Sequence, residues 1–338
     1  MSWHEDIDRK MPWKETKDPY KIWISEIVLQ QTRVAQGTDY YNRLIDAFPT
    51  VQDLAKASED EVLSLWKGLG YYARARNLHY AAKQIVEDHG GVFPRSYDDI
   101  ISLKGVGVYT AAAIASFAFD LPHAVVDGNV YRVLSRYFNL STPIDTTSGK
   151  KTYAALAQEN LVAKRASHYN QAIMDFGALQ CTPVSPSCTT CTLRDSCGAY
   201  AQGTVDLLPI KEKKLTIKSR YFNYLYCRKG DKILMKKRKA KDIWQGLYEL
   251  PMVESHKPMT HKELRGLMNE KLGSTKEEPK IKKLWYHEQR LTHRLIHGSF
   301  YEVTWHDRMS KGEWIAKDKC RLIGIPKIID LFFKELNP

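Results

Sequence analysis

No stretch of the sequence approaches the roughly 18 consecutive apolar residues of a membrane-spanning helix, which excludes that class of membrane protein. The start, Met1-Ser2-Trp3-His4-Glu5-Asp6, lacks the basic-then-apolar run of a secretory leader, so the expectation is a cytoplasmic protein. No internal repeat is visible. Negative charge is in short supply: 39 Asp and Glu stand against 51 Lys and Arg, for a formal charge of +12. Such a balance suits a polyanionic partner, because each phosphate contact releases counterions. Excess lysine that only maintains solubility would give the same number, so charge leaves both readings open. Cysteine is scarce too, six in 338 residues, and its distribution is therefore informative.

Against those absences stands an ordinary globular composition, 43% hydrophobic and 27% charged, in a chain long enough for two or three domains. From Pro19 to about Tyr200 the pattern is mostly helical; apolar residues recur at three and four through Val62, Leu63, Leu65, Trp66 and Leu69, and again at Ile114, Phe117 and Ala118. The stretch from Gly198 to Ser219 contains Gly203, Pro209 and the run Lys211-Glu212-Lys213-Lys214 and reads as a linker. Beyond it, Tyr221–Cys227 and Lys232–Met235 flank Lys229-Gly230-Asp231 and predict a hairpin. A helix over His261–Leu272, strands from Leu284 and over Ser299–Val303, and a last helix over Ile325–Leu336 beside Pro326 complete the pattern. The expected architecture is a mainly α body of about 200 residues followed by a smaller α+β domain.

Four of the six cysteines, Cys181, Cys188, Cys191 and Cys197, fall in the spacing C-x6-C-x2-C-x5-C. In a chain without a leader, that density favours a metal site over disulfides. Zinc and an iron–sulfur cluster both remain open, although zinc ribbons bring together two close pairs and only Cys188 and Cys191 are close here. Four thiolates in one short loop suit a 4Fe–4S cube. Cys227 and Cys320 stand apart and read as ordinary thiols.

Leu103-Lys104-Gly105-Val106-Gly107 precedes the small-residue helix Tyr109–Phe119. Its two glycines permit a tight turn that presents backbone N–H groups at a helix N-terminus, a nest for phosphate; a plain interhelical turn is the alternative. Gly68-Leu69-Gly70 with Ala73 fits a dinucleotide pattern, but the helical Asp60–Trp66 precedes it where a strand is required.

Two carboxylates sit in settings that would suit a general acid and an anion that steadies developing positive charge. Glu26 is the only charge in Ile22–Leu29, and burial there would favour its neutral form; the edge of an amphipathic face is the alternative. Gln30-Gln31-Thr32-Arg33 follows with amide, hydroxyl and guanidinium groups. Asp127, in Val125-Val126-Asp127-Gly128-Asn129-Val130, precedes a helix running to about Phe138 and reads locally as an N-cap, ionised in either reading.

The cysteine loop resembles the cluster loop of the endonuclease III superfamily. Leu103–Gly107 is similar to that superfamily's Leu-Pro-Gly-Val-Gly hairpin, with Lys104 in place of proline, and Asp127 lies at the matching distance, 20 residues after Gly107. Trp23–Val34 closely resembles the signature of the adenine DNA glycosylases. Tyr109 stands where strand-cutting relatives carry a lysine, and a phenol cannot form an imine. Gly68–Arg76 resembles the family segment whose first tyrosine, here Tyr71, intercalates in the duplex, with Gln31, Thr32 and Leu69 around it. Met11-Pro12-Trp13-Lys14 is similar to the family's Leu-Pro-Trp-Arg, with lysine for arginine. Trp244–Pro251 resembles a Nudix-like run, without the acidic box of Nudix hydrolases, and Leu291-Thr292-His293 matches the family's Phe-Ser-His lesion loop.

The resemblance implies a helix–hairpin–helix glycosylase body with an iron–sulfur cluster loop, then a Nudix-like domain. The division would be 18–119 for a six-helix subdomain, 1–17 and 120–200 for the cluster subdomain, 201–218 for a linker and 219–338 for lesion recognition. It implies Glu26 as acid, Asp127 beside the sugar cation with Asn129 positioning it, and Tyr109 in the catalytic set. Gly105 and Gly107 would grip phosphate, Thr292 and His293 would contact the lesion, and the four cysteines would hold one 4Fe–4S cluster. The implied partner is double-stranded DNA with 8-oxoguanine:adenine or guanine:adenine mispairs, met by a monomer associated with the bacterial nucleoid and no membrane.

Overall fold

The computed structural model describes residues 1–7, 9–213, 216–239, 241–272, 280–304 and 312–336; Lys214, the end of the basic linker run, lies outside them. The chain forms two compact units, Met1–Lys56 with Asn77–Lys214, and Ala57–Arg76 with Leu215–Pro338. None of the helices among the described residues is long and apolar enough to cross a membrane.

The first unit is helical. Asp18 caps the helix Pro19–Leu29 by accepting from the Tyr20 amide at 2.9 Å, and Pro19 sits in the first turn, where an N–H would lack a helical partner anyway. This helix is buried almost all round, by Ile22, Trp23, Ile24, Ile27 and Val28, and it packs on the Ala-rich helix Val108–Phe119. Helix Gly128–Tyr137 packs on Ala166–Leu179, and on another side Val130 and Leu134 meet Ile144, Tyr153 and Ala157. Gly177 sets the closeness of the first pair: a Cβ there would lie 2.7 Å from Asn129 Cβ.

In the second unit a capping box at Ser58 and Glu61 starts helix Glu59–Leu65, after which the chain turns through Gly68 and Gly70, both at positive φ. A helix before the glycines confirms that the dinucleotide pattern is coincidental. The strands are β1 (Lys218–Tyr226), β2 (Arg228–Lys229), β3 (Lys232–Lys237), β4 (Tyr248–Glu249), β5 (Met252–Ser255), β6 (Lys280–Arg290), β7 (Arg294–Thr304) and β8 (Glu313–Ala316). One sheet has the order β5-β1-β7-β6, with β1 and β7 parallel; the other runs β2-β3-β4, with β8 on β3.

The expected hairpin is thus reduced to two pairs, Arg228↔Ile233 and Lys229↔Lys232, while the long strand β1 belongs to the other sheet. Phe222 through Tyr226 are all buried, on both faces, and a strand of that kind takes an interior place in its sheet. Leu264 and Met268 of helix His261–Leu272 cover one face at Leu225, Val253 and Tyr301. Helix Lys327–Glu335 covers the other, where Phe332 stacks on Phe300 at 4.2 Å. Segment Ala57–Arg76 is tied into this unit by Lys67–Asp330 and Lys237–Asp60, each at 2.5 Å, and by Arg76 donating to the Gln245 carbonyl at 2.5 Å.

Candidate active site

A cavity of about 570 Å³ opens in the helical unit, and both candidate carboxylates line it, with Gln30, Gln31, Thr32, Tyr109 and Asn129. Glu26 is 6% exposed on its helix, and Tyr109 Oη donates to Glu26 Oε2 at 2.8 Å. Burial pushes the Glu26 carboxyl up to about 7; the tyrosine's hydrogen bond pulls it down, and the charge of Asp127 adds to the rise. Tyr109 is driven well above its ordinary value by burial and then by Glu26 and Asp127, so it stays a donor.

Asp127 caps helix Gly128–Tyr137, accepting from the Val130 amide at 2.8 Å, while Asn129 Nδ2 donates to its other oxygen at 2.7 Å. Burial raises this carboxyl, and the bonds from Val130 and Asn129, with the Arg132 charge, oppose the rise. Burial raises both carboxyls, Asp127 against hydrogen-bond donors that favour its anion and Glu26 up to about 7.

Arg132 supports Asn129 from behind. Its Nη2 donates to Asn129 Oδ1 at 2.8 Å and to the Gly177 carbonyl at 2.5 Å, and its Nε donates to the Cys181 carbonyl at 2.7 Å. One turn on, Arg136 donates to Cys181 Sγ at 3.4 Å and to the Thr182 carbonyl at 2.7 Å. Cys181, Cys188, Cys191 and Cys197 line one small cavity with Arg136, Val133 and Phe176. Burial, then the charges of Cys181 and Cys197, push the Cys188 thiol up, and Arg136 acts the other way. Among the described residues no three His, Cys, Asp or Glu side chains converge as the ligands of a single ion.

The hairpin glycines lie where the sequence puts them. Gly105 has φ +80°, with Asn77 Cβ only 2.6 Å from where its own Cβ would be, and Gly107 caps helix Val108–Phe119. The amide of Lys104 donates to Gln84 Oε1 at 2.8 Å.

Leu69, Tyr71, Thr292 and His293 line a second cavity, of about 730 Å³, within the other unit. Tyr71 is held at φ +49° and its hydroxyl is hydrogen-bonded to Thr292 Oγ1, while Leu69 is buried. Gln31 and Thr32 belong to the first cavity and the other lesion-contact candidates to this one.

Residues 24–159 match the model described as HhH-GPD superfamily base excision DNA repair protein, and residues 223–335 match a NUDIX domain model. The adenine DNA glycosylase of Buchnera aphidicola subsp. Schizaphis graminum is 32% identical over 341 residues, covering 98% of this chain and 97% of that protein. The chain belongs to the adenine DNA glycosylase family. The rat adenine DNA glycosylase is 43% identical over 62% of this chain and 43% of its own length. Among solved structures, a thermostable thymine-DNA glycosylase covers 60% of this chain at 32% identity and TM-score 0.56. A trapped endonuclease III–DNA covalent intermediate, at 22% identity and TM-score 0.53, shares the fold.

As an adenine DNA glycosylase family member the chain is a base excision repair enzyme, and both matched domains agree with the architecture read from its sequence. Sequence reasoning did not find Arg9 or Asp175, which line the first cavity, nor Arg132 and Arg136. Arg132 and Arg136 could have been noticed as two arginines one turn apart on the helix that begins beside Asp127.

Proposed function

We propose that this enzyme hydrolyses the N-glycosidic bond of adenine opposite 8-oxoguanine, or guanine, in double-stranded DNA, as a cytoplasmic monomer at the nucleoid. The observation that carries the reading is the buried Glu26 carboxyl, held by Tyr109 at 2.8 Å in the same cavity as Asp127.

Adenine leaves as an anion unless a proton reaches it as the bond breaks. Glu26, raised to about 7 by burial, is protonated in a useful fraction of molecules near neutral pH and loses little driving force in giving the proton up. It then serves as the base that takes a proton from water. Asp127, supplied with two hydrogen-bond donors, faces the developing sugar cation as an anion, and Asn129 fixes its orientation. Tyr109 cannot form an imine, so base removal without lyase chemistry is expected.

Base removal from a duplex requires extrusion of the nucleotide. Tyr71, with Leu69, Gln31 and Thr32, would fill or border the gap, Gly105 and Gly107 would hold a phosphate, and Thr292 with His293 would read the lesion. The net charge of +12 supports backbone binding. The four cysteines would hold one 4Fe–4S cluster. Four thiols around one cavity match the four thiolates a cube requires, and the Arg136 guanidinium offsets thiolate charge. Bound, the cluster would brace the loop against helix Gly128–Tyr137.

The test is single-turnover base release from duplexes carrying one 8-oxoguanine:adenine or guanine:adenine pair. Free adenine should appear from both with no strand cleavage, from protein containing about four irons per chain. Borohydride trapping of a covalent protein–DNA adduct as efficiently as with a lyase would contradict it, as would stoichiometric zinc.

A further inference from the structure

Asp175 lies on helix Ala166–Leu179 with its side chain 2% exposed, and three side chains from the N-terminal segment converge on it. His4 Nε2 lies 2.9 Å from Oδ2, Arg9 Nη1 donates to Oδ1 at 2.5 Å, and Lys14 Nζ donates to Oδ2. Among the described residues of the segment, no helix or strand lies between helix Ser2–Glu5 and Pro19, and its packing comes from side chains such as Trp3 against Phe176 at 4.9 Å and Trp13 against Tyr41 at 5.2 Å. Yet Arg9, Met11, Trp13, Lys14 and Thr16 form one wall of the cavity that holds Glu26 and Asp127. The far end of the segment has a separate clip, Lys17 Nζ donating to the Phe117 carbonyl at 2.9 Å and to Ser167 Oγ at 3.1 Å.

We infer that Asp175 is a positioning residue for base selection: it holds the N-terminal wall of the cavity in the place where that wall can discriminate the extruded base. The inference rests on the proposed function for the identity of the base. Its physical basis is the low local dielectric, in which a charge-assisted bond to a carboxylate is worth most and a lost partner leaves a cation stranded. Burial alone would raise the Asp175 carboxyl, but the bond and charge of Lys14, with the bonds from Arg9 and His4, hold it below its ordinary value, so it is an anion at neutral pH. Asn at this position keeps the shape and removes the charge that gathers the three partners. Arg9 and Lys14 are thus both bound to Asp175 and part of the cavity lining.

Two readouts separate positioning from general stability. Chymotryptic cleavage after Trp13, which is 7% exposed, reports whether the wall is held, and it needs no activity. The second readout is the ratio of single-turnover rates for adenine and for purine, which lacks the 6-amino group, each opposite 8-oxoguanine at saturating enzyme. In Asp175→Asn, cleavage after Trp13 should quicken at least tenfold. Adenine release should fall about 10- to 100-fold, the scale expected of a misplaced wall, with purine release falling less. Were Asp175→Asn not to fold, the double variant Arg9→Gln/Lys14→Gln breaks the same cluster from the less buried side and should act alike. Unchanged protection of Trp13, or both bases slowed equally, would overturn the inference. A wild-type enzyme that releases neither base would instead refute the proposed function, and Trp13 protection would still decide whether Asp175 holds the wall.

Discussion

At Glu26 chemistry and stability pull in opposite directions. Its folded-state pKa of about 7 lies above the ordinary 4.5, so its favourable contribution is complete below about 4.5 and is lost as pH rises through 7. Glu26→Gln should therefore abolish fast base release and yet raise stability near pH 8 by up to about 3 kcal/mol, less whatever the amide fails to satisfy. Thermal unfolding of both proteins across pH 5–8 checks this, and equal stability throughout would contradict the raised value. Tyr109→Phe removes the bond that lowers Glu26, so the alkaline limb of the pH–rate profile should move upward. A limb that stays in place would show that Glu26 does not set it. Glu26 was legible in the sequence as the single charge in an apolar helical run, and the resemblance of Trp23–Val34 to the glycosylase signature singled it out from the edge of an amphipathic face. Asp175 was not, because its three partners lie more than 160 residues away and nothing in local periodicity reports a cross-chain ion cluster.

Between elements, the packing of helix Ala166–Leu179 on helix Gly128–Tyr137 places Asn129, and through it Asp127. A Cβ at Gly177 would stand 2.7 Å from Asn129 Cβ and 2.9 Å from its carbonyl oxygen, a backbone atom that cannot simply swing aside. Gly177→Ala should destabilise the protein by about 1–3 kcal/mol as an overpacking change. It should also slow base release about tenfold or more at temperatures where the protein remains folded, since Asn129 must shift. Wild-type rates in a folded Gly177→Ala variant would argue that Asn129 does not position Asp127. Helix limits such as Val108–Phe119 and Gly128–Tyr137 followed the sequence closely, because caps and apolar spacing are local. The hairpin around Gly230 was overestimated for the complementary reason: turn residues announce a reversal, but burial on both faces decides which sheet β1 joins.

For the molecule as a whole, Ala57–Arg76 precedes much of the helical unit in sequence but is compact with the C-terminal residues. Periodicity showed that Glu59–Leu65 is a helix; its partners, Asp330, Lys237 and Gln245, come from distant segments that no sequence window covers. Ending the chain after Lys213 would remove those partners and the Tyr71–Thr292 hydrogen bond together. That truncation should lower the unfolding temperature by several degrees and speed proteolysis within Gly68–Ala73. An unchanged digestion pattern there would show that the segment is held without the C-terminal residues.

The most direct test of the central claim is adenine release in a single turnover from an 8-oxoguanine:adenine duplex, wild type beside Glu26→Gln, with iron content and folding matched. The account predicts rapid release by wild type and a loss of at least about a thousandfold in the variant, within the 10²–10⁴ range of general acid–base catalysis. Comparable rates in the two proteins, or no release by a folded wild type, would contradict it.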